Sequence, residues 1–311
     1  MKSFKSYLES QGKSKSTITY YMRYALDFIS WLDKDHTEIE HATAKEVLSY
    51  LNHLQNKGLD NKTRNIRLNV IKLFFNWQVQ QEQRESNPVS HVKIRGTKRQ
   101  KLYPILSKEE LEQLYLTYQV PSEKDPKSHL NWFKTMQLSK ARNKTLLSLI
   151  INQGLTTAEI SKLTLTDLKL KEGKVYIEGG RKSAARTLEL KSNQIIELME
   201  YQYQIRPTLL NYQKEETNLL FLSVPVAGQK YATGKGNLQI WKGLTREMKE
   251  KHKVFQNFKQ VRASVITHWL KQYNLREVQY MAGHKYVSST EKYLANQAED
   301  LRSDIDRFHP N

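Results

Sequence analysis

MAGHKYVSSTEKY, residues 281–293, sets a histidine nine residues before a tyrosine. On one continuous helix His284 and Tyr293 would lie about two and a half turns apart, on opposite faces. The stretch reads otherwise. Asn274 suits the N-cap of a helix running through Val278 and Met281, and Gly283 suits its C-terminal stop. Ser288 then opens a capping box with Glu291. The expected order is helix, turn, helix, with His284 on the turn and Tyr293 in the first turns of the next helix. Such a bend can aim both side chains at one point. Taken alone, the pair reads more simply as a surface histidine and a half-buried tyrosine, so the rest of the chain has to decide.

At 311 residues the chain is long enough for two domains with separate cores. Its 50 Lys and Arg against 32 Asp and Glu give a net charge of +18, which favours a polyanionic partner, most simply nucleic acid. A membrane surface is the rival. There is no run of about 18 apolar residues and no signal-peptide core, so nothing marks insertion or secretion. The absence of cysteine excludes disulfides, thiolate zinc sites and cysteine nucleophiles, and fits a reducing cytoplasm. The nine histidines form no HExxH pair. GGRKS at 179–183 is too short for a phosphate-cradling loop. Neither a metal nor a cofactor is expected.

The first part reads as helices, assigned to a domain at 1–90. Ser14 or Ser16 can cap a helix with the apolar face Ile18, Tyr21, Ala25, Phe28 and Leu32. Thr43 and Glu46 open a second, with Val47, Leu48, Leu51 and Leu54. A third carries Ile66, Val70, Leu73, Phe74 and Trp77. Asn87-Pro88 ends the pattern. HVKIRGTKRQK, 91–101, then holds five Lys or Arg and no acid. It reads as a linker, set at 91–104, whose Lys93, Arg95, Lys98, Arg99 and Lys101 lie along a phosphate backbone. Residues 1–98 carry 16 basic and 10 acidic residues, and 99–311 carry 34 and 22. Two basic lobes on a basic linker suggest a clamp around a duplex. The second domain, 105–311, opens on a capping box from Ser107 to Glu110. An apolar helix at 141–152 follows, then a turn into a short helix, then a β-hairpin of Val175–Ile177 and Thr187–Leu190 around a basic glycine turn. NLLFLS, 218–223, has no evident partner. A tail helix at about 297–308 carries Leu301, Ile305 and Phe308 as one apolar stripe. The fold class is mainly α with a small antiparallel sheet.

In NFKQVRASVITHWL, 257–270, Lys259 and Arg262 share a helical face, with Val261, Val265 and Trp269 inward. The order Lys-x-x-Arg, Gly-His, Tyr resembles the tyrosine recombinases, the phage-type integrase family. The resemblance extends over nearly the whole chain, through the helical N-terminal domain, the basic linker, the GL…AEISKL…DL segment and the hairpin. It implies a SAM-like core-binding domain that clamps DNA and an α+β catalytic domain. It also implies an enzyme that needs no cofactor. A tyrosine hydroxyl attacks a DNA phosphodiester and holds a 3′-phosphate, and a 5′-hydroxyl reverses the step. A guanidinium suits the non-bridging oxygens, and histidine and lysine can donate hydrogen bonds or move protons. With an ordinary pKa of about 10, the tyrosine must lose its proton during attack.

Carried over, the resemblance makes Tyr293 the nucleophile, Arg262 the second of two arginines, Lys259 the His-or-Lys position and His284 the His-or-Trp position. The mobile hairpin lysine, general acid for the leaving oxygen, falls in GGRKSAAR as Lys182, with Arg181 close behind. One departure matters most: Thr156 follows Gly154-Leu155 where the family has its first arginine. The hairpin is the nearest source of replacement charge, Arg181 ahead of Arg186. Ala263 and Ala282 are smaller departures. The implied partners are double-stranded DNA with inverted-repeat core sites, further copies of the chain in a synaptic tetramer, and an accessory directionality factor. No membrane partner is implied. The expected place is the prokaryotic cytoplasm, on the nucleoid. Because of Thr156, a catalytically impaired relative that binds DNA as an accessory protein is the alternative. A basic interaction protein without covalent chemistry is a third reading. A type IB topoisomerase shares the tyrosine chemistry but fits the length and N-terminal helices less well.

Overall fold

The computed structural model describes residues 1–34, 36–96, 103–181, 183–225, 228–232 and 236–294. The chain divides into two compact units, Met1–Lys101 and Leu102–Asn311. The first holds four helices: α1 (Lys2–Ser10), α2 (Lys15–Lys34), α3 (Ala44–Asn56) and α4 (Asn61–Gln80). Their starts follow from caps. The Ser14 hydroxyl accepts from Thr17 N, Thr43 and Glu46 form a capping box, and Asp60 accepts from Thr63 N. The core forms where the apolar stripes meet. Phe28, Leu32, Leu51, Leu54, Phe74 and Phe75 are buried in it, with Phe4 of α1 edge-on to Phe74. Two expected core residues lie outside: Leu48 and Ile66 are 47% and 43% exposed, and Tyr50 and Leu68 take the inward places.

The start of the basic segment is fixed rather than free. Lys72 on α4 donates to the carbonyls of Ser90 and Val92, at 2.8 and 2.6 Å, and Asn61 donates to Arg95 O at 3.0 Å. Val92 and Ile94 pack on the core, while His91, Lys93 and Arg95 face solvent. This is the period of two of an extended chain. Lys98, Arg99 and Lys101 lie outside the described residues, as does the tail helix expected at 297–308.

The second unit packs nine further helices around a three-stranded antiparallel sheet, counted among the described residues. They are α5 (Lys108–Leu116), α6 (Phe133–Gln153), α7 (Thr157–Ile160), α8 (Ser192–Glu200), α9 (Arg206–Leu210), α10 (Gly236–Lys251), α11 (Phe258–Leu270), α12 (Leu275–Ala282) and α13 (Val287–Glu291). A π-helical turn, Tyr201–Ile205, joins α8 to α9. The strands are β1 (Leu168–Lys169), β2 (Lys174–Ile177) and β3 (Arg186–Glu189), in that order. The hairpin register pairs Val175 with Leu188 and Ile177 with Arg186. Helix α6 is the spine. It begins at Phe133, well before the expected 141, and buries Leu146, Leu147, Leu149 and Ile150 against α5 and α11. The 218–223 run does find a partner. Leu220 N donates to Leu163 O at 2.7 Å and Thr164 bridges Leu219, which buries Leu220, Phe221 and Leu222.

Candidate active site

The stretch 274–293 folds as a helix, a turn and a second helix. The Asn274 side chain accepts from Arg276 N and Glu277 N to start α12, and Gly283 ends it at φ +68. A Cβ on Gly283 would sit 2.2 Å from Arg186 Nη1, so both its backbone and its neighbour require glycine. The second helix differs from expectation. It starts at Val287, its cap Tyr286 makes no side-chain bond, and Ser288 opens no capping box. The hydroxyl that matters is Thr290, whose Oγ1 lies 2.9 Å from His284 Nδ1. Tyr293 follows the end of α13, and its ring lies flat against the His284 ring, with centroids 5.8 Å apart and planes 10° from parallel. The bend thus brings the two rings together.

Arg262 reaches the same point from α11. Its guanidinium donates to Gly154 O and, at 2.6 Å, to Ala282 O, while Nη2 stands 3.4 Å from His284 Nε2. Both carbonyls end helices, where acceptors are left without intrahelical donors. Because Arg262 can only donate, His284 Nε2 is the acceptor and Nδ1–H donates to Thr290. Burial, then the charges of Arg262 and Arg186, lower the His284 pKa to about 4. The imidazole is therefore neutral at pH 7.

Glu159 organises the floor of the site. Its Oε1 accepts from Arg186 Nη1 at 2.8 Å. Its Oε2 accepts from Thr156 N and Thr156 Oγ1, at 2.8 and 2.9 Å, and lies 3.7 Å from Arg262 Nη1. Burial pushes this carboxyl up, but the hydrogen bond and charge of Arg186, the Thr156 amide and the Arg262 charge outweigh it, so Glu159 stays ionised. Thr156 is the N-cap of α7, its hydroxyl also accepting from Glu159 N at 3.1 Å. The hairpin closes one wall. Ala184 N donates to Gly283 O at 2.9 Å, and Ser183 pairs with His284 as an isolated bridge. A pocket of about 290 Å³ opens here, lined by Thr156, Glu159, Gly180, Ser183, Arg262 and His284 among others.

Arg262, His284 and Tyr293 are thus brought together, with Arg186 beside them. Lys259 is not on the same wall as Arg262. It is exposed and lines a neighbouring pocket of about 750 Å³ with Lys242, Arg246 and Lys249. The two residues are three apart on α11, but the helix buries Arg262 and turns Lys259 outward. Arg181 is exposed on the hairpin turn, where its carbonyl accepts from Lys285 Nζ at 3.3 Å. Of the two hairpin arginines expected to supply charge, Arg186 is the one that β3 carries inward. Lys182 lies outside the described residues. Sequence reasoning passed over Glu159 and Thr290. The Thr156-x-x-Glu159 spacing carried the signal for the first, while Thr290 is set by the turn and has no sequence signature.

Comparison with known proteins agrees with this architecture. The profile of the phage integrase family matches residues 105–300, and that of the phage integrase N-terminal SAM-like domain matches 1–85. Tyrosine recombinase XerA of Pyrococcus furiosus is 24% identical over 309 residues, covering 99% of this chain and 93% of the relative. Tyrosine recombinase XerC of Bacillus subtilis is 25% identical, covering 100% and 96%. Among solved structures, XerH recombinase bound to difH superposes with a TM-score of 0.66 at 18% identity, covering 96% of this chain and 84% of that one. The Tn1549 transposon integrase in complex with transposon right end DNA gives 0.63 at 15%, covering 97% and 96%. At such identities these structures speak to the fold alone. The profile match over most of the second unit, joined to the helical first unit, makes the chain a member of the phage integrase family.

Proposed function

We propose that the protein is a site-specific DNA recombinase that cleaves and rejoins strands through a 3′-phosphotyrosine on Tyr293. The observation that carries this reading is that the neutral His284 and the buried Arg262 line one pocket and the Tyr293 ring stacks on His284. In the cleavage step the Tyr293 hydroxyl releases its proton to solvent as its oxygen bonds to phosphorus. The bond from phosphorus to the 5′-oxygen breaks, and its electron pair leaves on that oxygen, which takes a proton from Lys182. A 5′-hydroxyl from another strand reverses the step. Arg262 sets its fixed charge against the non-bridging oxygens. A phosphate entering beside His284 adds negative charge, favours the imidazolium and turns Nε2 into a donor. Lys259 and its basic neighbours Lys242, Arg246 and Lys249 hold the adjoining backbone. The basic linker residues Lys93, Arg95, Lys98, Arg99 and Lys101 bind the DNA backbone. The relatives' names as Xer tyrosine recombinases support the reading, and a lambda integrase tetramer bound to a Holliday junction supports assembly of four copies on DNA.

The test is covalent capture. The protein is incubated with a pool of nicked suicide duplexes with randomised arms, and protein-bound DNA is recovered under denaturing conditions. Protease-sensitive adducts on a common sequence with inverted repeats are the expected result. DNA binding without any adduct would overturn the cleavage reading and leave an accessory DNA-binding protein.

A further inference from the structure

Position 156 carries no charge, and its hydroxyl is already committed to the Glu159 carboxylate and amide. A phosphate in this pocket therefore gains little from Thr156. Arg186, the first residue of β3, is the other guanidinium at the site. Its side chain is 0% exposed and that of Glu159 only 11%. Arg186 Nε donates to Met281 O at 2.8 Å and Nη1 to Glu159 Oε1, while Nη2 is buried with no hydrogen-bond partner among the described residues. A donor left over on a buried cation is costly, so a water or a ligand completes it. The charge balance points the same way. Arg186 and Arg262 share the single carboxylate of Glu159, and the histidine between them is neutral. Of the other carboxylates at the pocket, Asp167 accepts from Thr164 N and Oγ1, and Glu178 is exposed at the rim. Within the buried cluster of Arg186, Arg262 and Glu159 alone one positive charge is in excess, while the exposed Lys162 and Glu178 and the half-buried Asp167 line the rest of the pocket.

We propose that Arg186 is the positioning residue that replaces the missing charge at position 156. It holds Glu159 by one oxygen, so that the other stays with Thr156 and Arg262, and the positive charge that one carboxylate leaves over between the two guanidiniums stabilises the scissile phosphate across Gly283. The contact with Gly283 is close enough to transmit position as well as charge, since any Cβ there would strike the guanidinium. This inference rests on the recombinase reading.

The test compares single-turnover cleavage of a phosphate with that of a methylphosphonate at the same scissile position. The methyl group removes the negative charge that Arg186 is proposed to meet. Arg186→Met should lose about a hundredfold or more on the phosphate, the scale of a removed transition-state donor, and much less on the methylphosphonate. Arg186→Lys keeps the charge without the two-ended grip and should fall between Met and the parent on the phosphate. It carries the same comparison if the Met variant does not fold. Equal losses on both substrates would mean that Arg186 merely holds the fold, and would overturn the inference. So would variants that cleave like the parent. Failure of the parent to cleave either substrate would remove the recombinase reading itself, a result distinct from both.

Discussion

His284 should behave as a neutral base that resists protonation. Its pKa is about 4 in the folded chain, from burial and then from Arg262 and Arg186, against an ordinary value near 6.5. Between those values the unfolded chain binds the proton and the folded chain does not. Stability should therefore fall as pH drops from about 6.5 to 4, and His284 should contribute nothing to the slope above that window. Urea unfolding of the parent and of His284→Gln across pH 7 to 4.5 checks this. The variant should lose part of the slope, and identical slopes would contradict the assignment. The bend after Gly283 was legible in the sequence, because Asn274 and Gly283 bracket a helix, but the helix and turn alone did not decide that the histidine and tyrosine meet. The tautomer was not legible, because it depends on Arg262 and Thr290, which only folding brings to either side of the ring.

Among the elements, caps were the most readable signals. Thr43, Ser107 and Asn274 each head a helix with a box partner three residues on. Ser288-x-x-Glu291 has the same spacing and caps nothing, because the turn out of Gly283 already starts the helix at Val287. Helix faces were less secure. Leu48 and Ile66 satisfy the period but lose the inward places to Tyr50 and Leu68, which the three-dimensional arrangement favours. The basic segment was legible as charge and illegible as structure, since its anchor is Lys72, some 20 residues upstream. Lys72→Met removes the donor for two carbonyls, at a cost of about 1 kcal/mol. Amide hydrogen exchange should quicken over residues 89–96 while that of α2 and α3 holds. Unchanged exchange there would show that Val92 and Ile94 suffice to hold the segment down.

For the whole molecule, the net charge of +18 is the feature that sequence alone reads most directly. Contact with on the order of six to ten phosphates should lower duplex affinity about 10³- to 10⁵-fold between 50 and 200 mM salt. Alanine at Lys93, Arg95, Lys98 and Arg99 together should flatten the log–log slope, and an unchanged slope would remove these residues from the interface.

As the proposed nucleophile, Tyr293 supplies the oxygen that bonds covalently to DNA, and one substitution isolates that role. Tyr293→Phe keeps the ring that stacks on His284 and deletes only the hydroxyl. Denaturing electrophoresis of the parent and the variant on a captured suicide duplex, with binding measured in parallel, is the direct measurement. Tyr293→Phe should lose the covalent adduct in full and bind DNA with an affinity close to that of the parent. A covalent adduct formed by Tyr293→Phe would contradict that role.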